Sequence, residues 1–187
     1  SVNDAPTTDD DTASTDEDTA VDISVTASDV EGDDVTFSIV SDASNGTTSV
    51  SDSTITYTPD DDWNGTDTFT YKANDGEDDS NTSTITVTVA AVQDAPTTDD
   101  DTASSDEDTA VDISITASDV DGDDLTYSIS EGVDITAILD GSTVNFTASQ
   151  DFNGSENFTV TVTDGEFSAS QTFTVTVNAV NDAPTLA

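Results

Sequence analysis

Apolar residues alternate with Thr and Ser in short runs along this chain. In the first half the runs are Val21, Ile23 and Val25; Val35, Phe37 and Ile39; Ile55 and Tyr57; Phe69, Tyr71 and Ala73; Ile85, Val87 and Val89. The second half follows with Val111, Ile113 and Ile115; Leu125, Tyr127 and Ile129; Val144 and Phe146; Phe158, Val160 and Val162; Phe173, Val175 and Val177. A period of two, bounded by Gly, Asn and Asp clusters, predicts half-buried antiparallel strands. Thr suits the outward positions because it is β-branched and polar. Short strands near residues 7–13 and 47–50 bring the total to about seven per half, the count of a β-sandwich. Asn64-Gly65 and Asn153-Gly154 read as turns. Trp63 and Phe152 just before them are expected to plug one end of the core rather than to offer an aromatic platform to a ligand.

The two halves are copies. Residues 4–34 and 94–124 differ only at Thr15/Ser105, Val25/Ile115 and Glu31/Asp121. Asp-Ala-Pro opens each copy at Asp4 and Asp94 and recurs at Asp182. Two tandem domains are expected, 1–92 and 93–180, with 181–187 starting the next linker or repeat. A unit of this length can bury one small core.

Composition narrows the function. The 187 residues hold one Lys or Arg against 42 Asp and Glu, a net charge of −41, with no His, Cys or Met. Such a chain is not expected to neutralise a phosphate backbone or an anionic bilayer, so neither nucleic acid nor direct membrane contact is expected. His- or Cys-based zinc sites and nucleophile systems are excluded. No apolar run approaches a membrane span and no signal peptide is visible, so a mature segment or an internal fragment is expected.

Of the acids, 35 are Asp and 7 are Glu. A short Asp side chain keeps its carboxylate near the loop backbone, where it can join carbonyl oxygens around a hard cation; calcium takes six to eight such oxygens. The alternative is a solvated acidic coat. Clusters recurring in both copies favour a cation: Glu17-Asp18-Thr19, Asp29-Val30-Glu31-Gly32-Asp33, Asp60-Asp61-Asp62, Asp75-Gly76-Glu77 and the Asp94 junction. Carboxylates this close repel one another unless a cation sits among them.

The combination VNDAP, EDTAV, SDVDGDDLTYSI, DFNGSENFTV and TDGE resembles the cadherin-like tandem repeats, called tandem-95 or VCBS-type, of large bacterial RTX-type surface adhesins. The resemblance covers both copies. It implies an all-β fold of two tandem cadherin-like, Ig-like Greek-key sandwiches, calcium at the junctions and an extracellular or cell-surface location. Carried over by position, it implies that Glu17, Asp60, Asp62, Gln93, Asp94, Asp119, Asp121 and Asp164 converge on calcium at the junction. It also implies an outer site from Asn3, Asp4, Asp29, Glu31 and Asp75, and an incomplete one from Glu107, Asp151, Asn181 and Asp182. The sequence departs from the family pattern at Ala91, where an Asp is usual, at Ala95 in place of Asn, and at Ser149 in the second acidic pair. The number of ions per junction therefore stays open.

Other motifs add little. Six N-x-S/T sequons arise readily in a chain rich in Ser and Thr, Lys72 has Thr161 at its place in the second copy, and carboxylate pairs are inevitable among so many acids. No enzymatic activity is expected. The reading is a calcium-stiffened spacer, a monomer whose partners are the neighbouring repeats of its own chain. A module that itself grips carbohydrate or a homophilic partner is the alternative. Because only 6% of the residues are aromatic and most fall on the inward period, the spacer is favoured.

Overall fold

A pleated strand turns successive side chains to opposite faces, so alternation sorts each run into a core face and a solvent face. The computed structural model describes residues 2–99 and 102–181. The chain divides into two compact units between Val92 and Gln93. Among the described residues all regular structure is β-strand. Unit 1 holds β1 (Thr7–Thr8), β2 (Asp11–Asp16), β3 (Val21–Ser24), β4 (Ala27–Ser28), β5 (Thr36–Ser41), β6 (Gly46–Ser51), β7 (Thr54–Pro59), β8 (Gly65–Asn74) and β9 (Ser83–Ala90). Unit 2 holds β10 (Thr97–Thr98), β11 (Ala103–Asp106), β12 (Val111–Ser114), β13 (Ala117–Ser118), β14 (Thr126–Ile129), β15 (Ile135–Asp140), β16 (Thr143–Ala148), β17 (Gly154–Thr163) and β18 (Ser168–Asn178).

Each unit is a sandwich of a four-stranded sheet and a three-stranded sheet. The orders are β2-β9-β8-β5 with β3-β7-β6 in unit 1, and β11-β18-β17-β14 with β12-β16-β15 in unit 2. The short pairs β1-β4 and β10-β13 lie apart from them. Not every neighbour is antiparallel as expected: β2 runs parallel to β9, and β11 to β18. These partners sit at opposite ends of their unit, so no hairpin fixes their direction. The strand expected over 7–13 is split. β1 pairs with β4, the chain then crosses at Asp9 and Asp10, and β2 joins the other sheet. Two bonds hold that crossing, from Tyr71 Oη to Asp9 O at 2.9 Å and from Thr84 N to Asp10 Oδ1 at 2.7 Å.

Inward residues fill one core per unit. Tyr57 stacks on Phe69 with ring centroids 6.1 Å apart, and Phe146 meets Phe158 edge-on at 4.9 Å. Each such pair adds about 0.5–1.5 kcal/mol beyond its buried area. Trp63 and Phe152, both partly buried, pack against these cores. Their rings lie over Gly65 and Gly154, which begin the long strands with φ of 144° and 153° rather than forming the turns the sequence suggested. The turns come just earlier, closed by Trp63 N to Asp60 O at 3.2 Å and Phe152 N to Ser149 O at 3.0 Å.

In each unit one acid inside a strand, the buried Asp67 and the half-buried Glu156, holds a loop in place. In unit 1, Asp67 accepts from Ser44 N at 3.1 Å, Asn45 N at 2.7 Å and Tyr57 Oη at 3.3 Å. In unit 2, Glu156 accepts from Val133 N at 3.2 Å, Asp134 N at 2.8 Å and Ile135 N at 3.0 Å. Burial alone raises the Asp67 pKa, but the donors Asn45, Ser44, Thr68 and Tyr57 outweigh it and hold the carboxyl below its ordinary 3.8. The Tyr57 phenol is pushed up to about 12, first by burial and then by the neighbouring Asp67 charge.

Asp67→Ala is expected to destabilise unit 1 by about 2–4 kcal/mol, the scale of several lost charge-assisted hydrogen bonds. Fluorescence of Trp63, the one tryptophan and a unit 1 residue, during denaturant unfolding measures it. A depressed pKa stabilises above the unfolded value and loses that stability as pH falls through the folded one. Unit 1 should therefore weaken on acidification below the ordinary Asp pKa of 3.8, and less steeply in Asp67→Asn.

Candidate metal-binding ends

The remaining acids gather in loops at strand ends, and each unit has a leading and a trailing set. At the leading end of unit 1, Asp29 closes its own loop by accepting from Gly32 N at 2.7 Å and Asp33 N at 2.9 Å through Oδ1. This bond pattern favours the left-handed glycine, with φ of 81° at Gly32. Its other oxygen, Oδ2, is buried and accepts no hydrogen bond. Asp4 N donates to Glu31 Oε2 at 3.2 Å. Asn3 Nδ2 donates to Asp75 Oδ2 at 3.0 Å and to Asp78 Oδ2 at 3.2 Å. Amides of Asp78 and Glu77, and then the Asn3 side chain, hold the Asp75 carboxyl below its usual range. An open cavity of about 420 Å³ lies here, lined by Asn3, Glu31, Asp33, Asp75, Gly76 and Glu77.

At the leading end of unit 2 the loop repeats with changes. Asp119 Oδ1 accepts from Gly122 N at 3.1 Å and Asp123 N at 3.3 Å, and Oδ2 is again buried without a hydrogen bond. Asp94 N donates to Asp121 Oδ2 at 2.8 Å. Carboxylate oxygens of Asp119, Asp121 and Asp123 all lie within 4.8 Å of one another. Gln93 Nε2 reaches Asp121 at 3.2 Å and Asp123 at 2.6 Å. Asp164 Oδ1 accepts from Glu166 N at 2.6 Å and Phe167 N at 2.7 Å, while its Oδ2 is buried without a hydrogen bond.

The trailing ends centre on a buried glutamate. Glu17 accepts from Val92 N and from Asn64 Nδ2, the latter at 3.4 Å, and its own N–H donates to Ala90 O at 2.9 Å. Beside it Asp62 N donates to Asp18 Oδ1 at 3.0 Å. Glu107 copies this in unit 2, accepting from Val180 N and donating to Asn178 O at 2.9 Å. Asp18, Asp62, Asp108 and Asp151 all take left-handed φ near 55–60°, a conformation that Asp tolerates better than most residues.

Within unit 1 the structure thus joins Asn3 to Asp75 and Asp4 to Glu31, and sets Asp29 beside them in its own loop; within unit 2 it joins Gln93, Asp94 and Asp121. Asp60 is held through its backbone, its N–H donating to Asn45 O at 2.9 Å and its carbonyl accepting from Trp63 N at 3.2 Å, and no hydrogen bond joins it to Glu17. Asp182 lies outside the described residues. Sequence reasoning placed Asp18, Asp33, Asp78 and Asp123 outside the ligand sets, although Asp18 and Asp33 stand in the clusters that flagged those loops.

A hard cation fits this chemistry. All donors are oxygens, and oxygens of Asp29, Asp119 and Asp164 have left bulk water without gaining a hydrogen bond, a costly state for a carboxylate. The one cationic side chain, Lys72, pairs with Asp79 and leaves the loops without a counter-charge.

A family model described as bacterial Ig domain matches residues 3–88 and again 93–178. Two solved fragments of protocadherin gamma B2, cadherin domains 1–5 and 3–6, are similar at 16% and 15% identity, with TM-scores of 0.54 and 0.52. They cover 97% and 95% of this chain, which spans 40% and 48% of theirs. An endo-fucoidan hydrolase of glycoside hydrolase family 107 aligns at 21% identity and a TM-score of 0.40, over 95% of this chain and 29% of its own. At these identities the protocadherin likeness is one of fold alone. No curated protein matches.

Mutual repulsion of the acids is screened by salt. In calcium-free buffer the melting temperature, followed by circular dichroism, is expected to rise steadily with sodium chloride. A flat response would mean that the acidic loops are too well solvated to affect stability.

Proposed function

We propose, for a chain that belongs to the bacterial Ig-domain family in two tandem copies, that it is a calcium-binding, non-catalytic spacer of an extracellular adhesin. The finer assignment, tandem-95 or VCBS-type repeats of an RTX-type surface adhesin, is part of this reading. The observation that carries it is the recurrence of Asp29 in Asp119. In both copies one carboxylate oxygen is saturated by loop amides and the other is buried without a hydrogen bond. A solvated acidic coat gives no reason to bury the same oxygen twice, whereas a divalent cation does.

Calcium would be taken by Asn3, Asp4, Asp29, Glu31 and Asp75 in unit 1 and by Gln93, Asp94, Asp119, Asp121 and Asp164 in unit 2. The trailing residues Glu17, Asp60 and Asp62, and Glu107, Asp151, Asn181 and Asp182, are proposed to complete the shells of neighbouring repeats. The support for that last step is chain connectivity: Val92 N donates a hydrogen bond to Glu17, and Gln93 follows Val92 directly in the sequence. A cation that binds only the ordered state adds about 2.7 kcal/mol per site at a hundredfold excess over its dissociation constant. Extracellular modules bind with constants on the order of 0.1–1 mM.

Isothermal titration should show calcium binding in that range. The melting temperature should rise far more with calcium than with sodium chloride of equal ionic strength, and fall back on chelation. Asp29→Asn together with Asp119→Asn should remove most of the gain while leaving the calcium-free melting temperature nearly unchanged. Small-angle scattering should give a narrower distribution of maximum dimension with calcium than with chelator. Absence of binding heat at millimolar calcium would end the calcium reading. Binding without any change in scattering would end the spacer mechanism.

A further inference from the structure

The two leading loops are nearly identical in sequence, yet they are wired differently. In unit 1 both oxygens of Asp75 are engaged: Oδ1 by Glu77 N at 2.8 Å and Asp78 N at 2.7 Å, and Oδ2 by Asn3 Nδ2 at 3.0 Å. In unit 2 the matching Asp164 is held only through Oδ1, by Glu166 N and Phe167 N, and Oδ2 is left buried and without a hydrogen bond. Two substitutions produce this. Gln93 stands where unit 1 has Asn3, and its extra methylene carries the amide past Asp164 to Asp121 and Asp123. Phe167 stands where unit 1 has Asp78, so the second acceptor that holds Asn3 in place is missing.

We infer that residue 3 or 93 sets how strongly its own leading loop depends on a divalent cation. Asn3 ties back a carboxylate oxygen that the cation would use, while Gln93 leaves the corresponding oxygen of Asp164 open. This rests on the calcium reading above. In unit 1 a cation has to compete with the Asn3 hydrogen bond for Asp75 Oδ2. In unit 2 Asp119 and Asp164 each present an oxygen that no donor holds, and Asp119, Asp121 and Asp123 crowd within 4.8 Å. Calcium should therefore fill the unit 2 loop first, and the calcium-free chain should be least satisfied there.

The loops carry built-in reporters. Gly32 N and Gly122 N donate to Asp29 and Asp119, and Gly76 and Gly165 directly follow Asp75 and Asp164. Calcium titration of the intact 187-residue chain, followed through these four amides by nuclear magnetic resonance, reads each loop separately. Gly122 and Gly165 are expected to reach their midpoints at calcium concentrations about tenfold lower than Gly32 and Gly76, the factor that one such hydrogen bond supplies. Exchanging the side chains compares each loop with itself. Asn3→Gln should lower the Gly76 midpoint, and Gln93→Asn should raise that of Gly165. Midpoints that do not move in either variant would overturn the inference while leaving calcium binding intact. If none of the four glycines shifts at millimolar calcium, the calcium reading falls and this inference with it.

Discussion

A carboxylate that leaves water needs hydrogen-bond donors or a cation, and this chain has one cationic side chain for 42 acids. Backbone amides are thus the main internal source of compensation. They are spent, in both units, on the same few places. Asp67 and Glu156 take the amides of a loop that connects the two sheets. Glu17 and Glu107 take the amide that follows the last strand. Asp29 and Asp119 take two amides of their own loop through one oxygen. The third group is the exception, because its second oxygen is enclosed and the protein supplies nothing to it. That imbalance separates acids whose oxygens the fold satisfies from acids whose second oxygen it leaves without a donor.

Comparing the two copies shows how tightly the first group is coupled to the core. Tyr57 in unit 1 is Phe146 in unit 2, and Asp67 is Glu156. The shorter acid stands with a phenol that donates to it; the longer acid stands with a phenyl ring and reaches three amides unaided. Replacing Tyr57 by Phe without changing Asp67 would leave that carboxylate short of a donor, while the Tyr57 hydroxyl has a second acceptor in Asn45 O at 3.2 Å. Next to this pair the space is closed: a Cβ on Gly46 would come within 2.5 Å of Thr58 O, and one on Gly132 within 2.7 Å of Glu156 Oε2. Loop, acid and aromatic ring behave as one unit of packing.

Much of the fold could be read from the sequence because alternation has a direct cause: an inward Val or Phe beside an outward Thr allows only one face to be buried. The parallel pairing of β2 with β9 could not, since strand direction is a long-range property and the local pattern is the same either way. The break at Asp9 and Asp10 was hidden for a similar reason, its anchors being Tyr71 and Thr84, far along the chain. At the candidate sites, residue type and recurrence pointed to Asp29, Asp119 and Asp164, but which oxygen is enclosed depends on the surrounding backbone. Asp67 and Glu156 escaped notice because each is a single acid inside a strand with no cluster around it. The inward position of Asp67, between Gly65 and Phe69 on the period of two, was the available signal.

The spacing of the repeat adds a further constraint. Ala90 O accepts from Glu17 N, and Val92 N donates to the Glu17 carboxylate, so unit 1 holds its chain up to its last residue. The next residue, Gln93, already bonds to Asp121 and Asp123 of unit 2. Unit 2 closes in the same way, with Glu107 N donating to Asn178 O and Val180 N donating to the Glu107 carboxylate. Each copy therefore ties down its own last strand and the residue two beyond it through one glutamate near its start, a long-range bond that a Gly and Ser linker at that place could not supply.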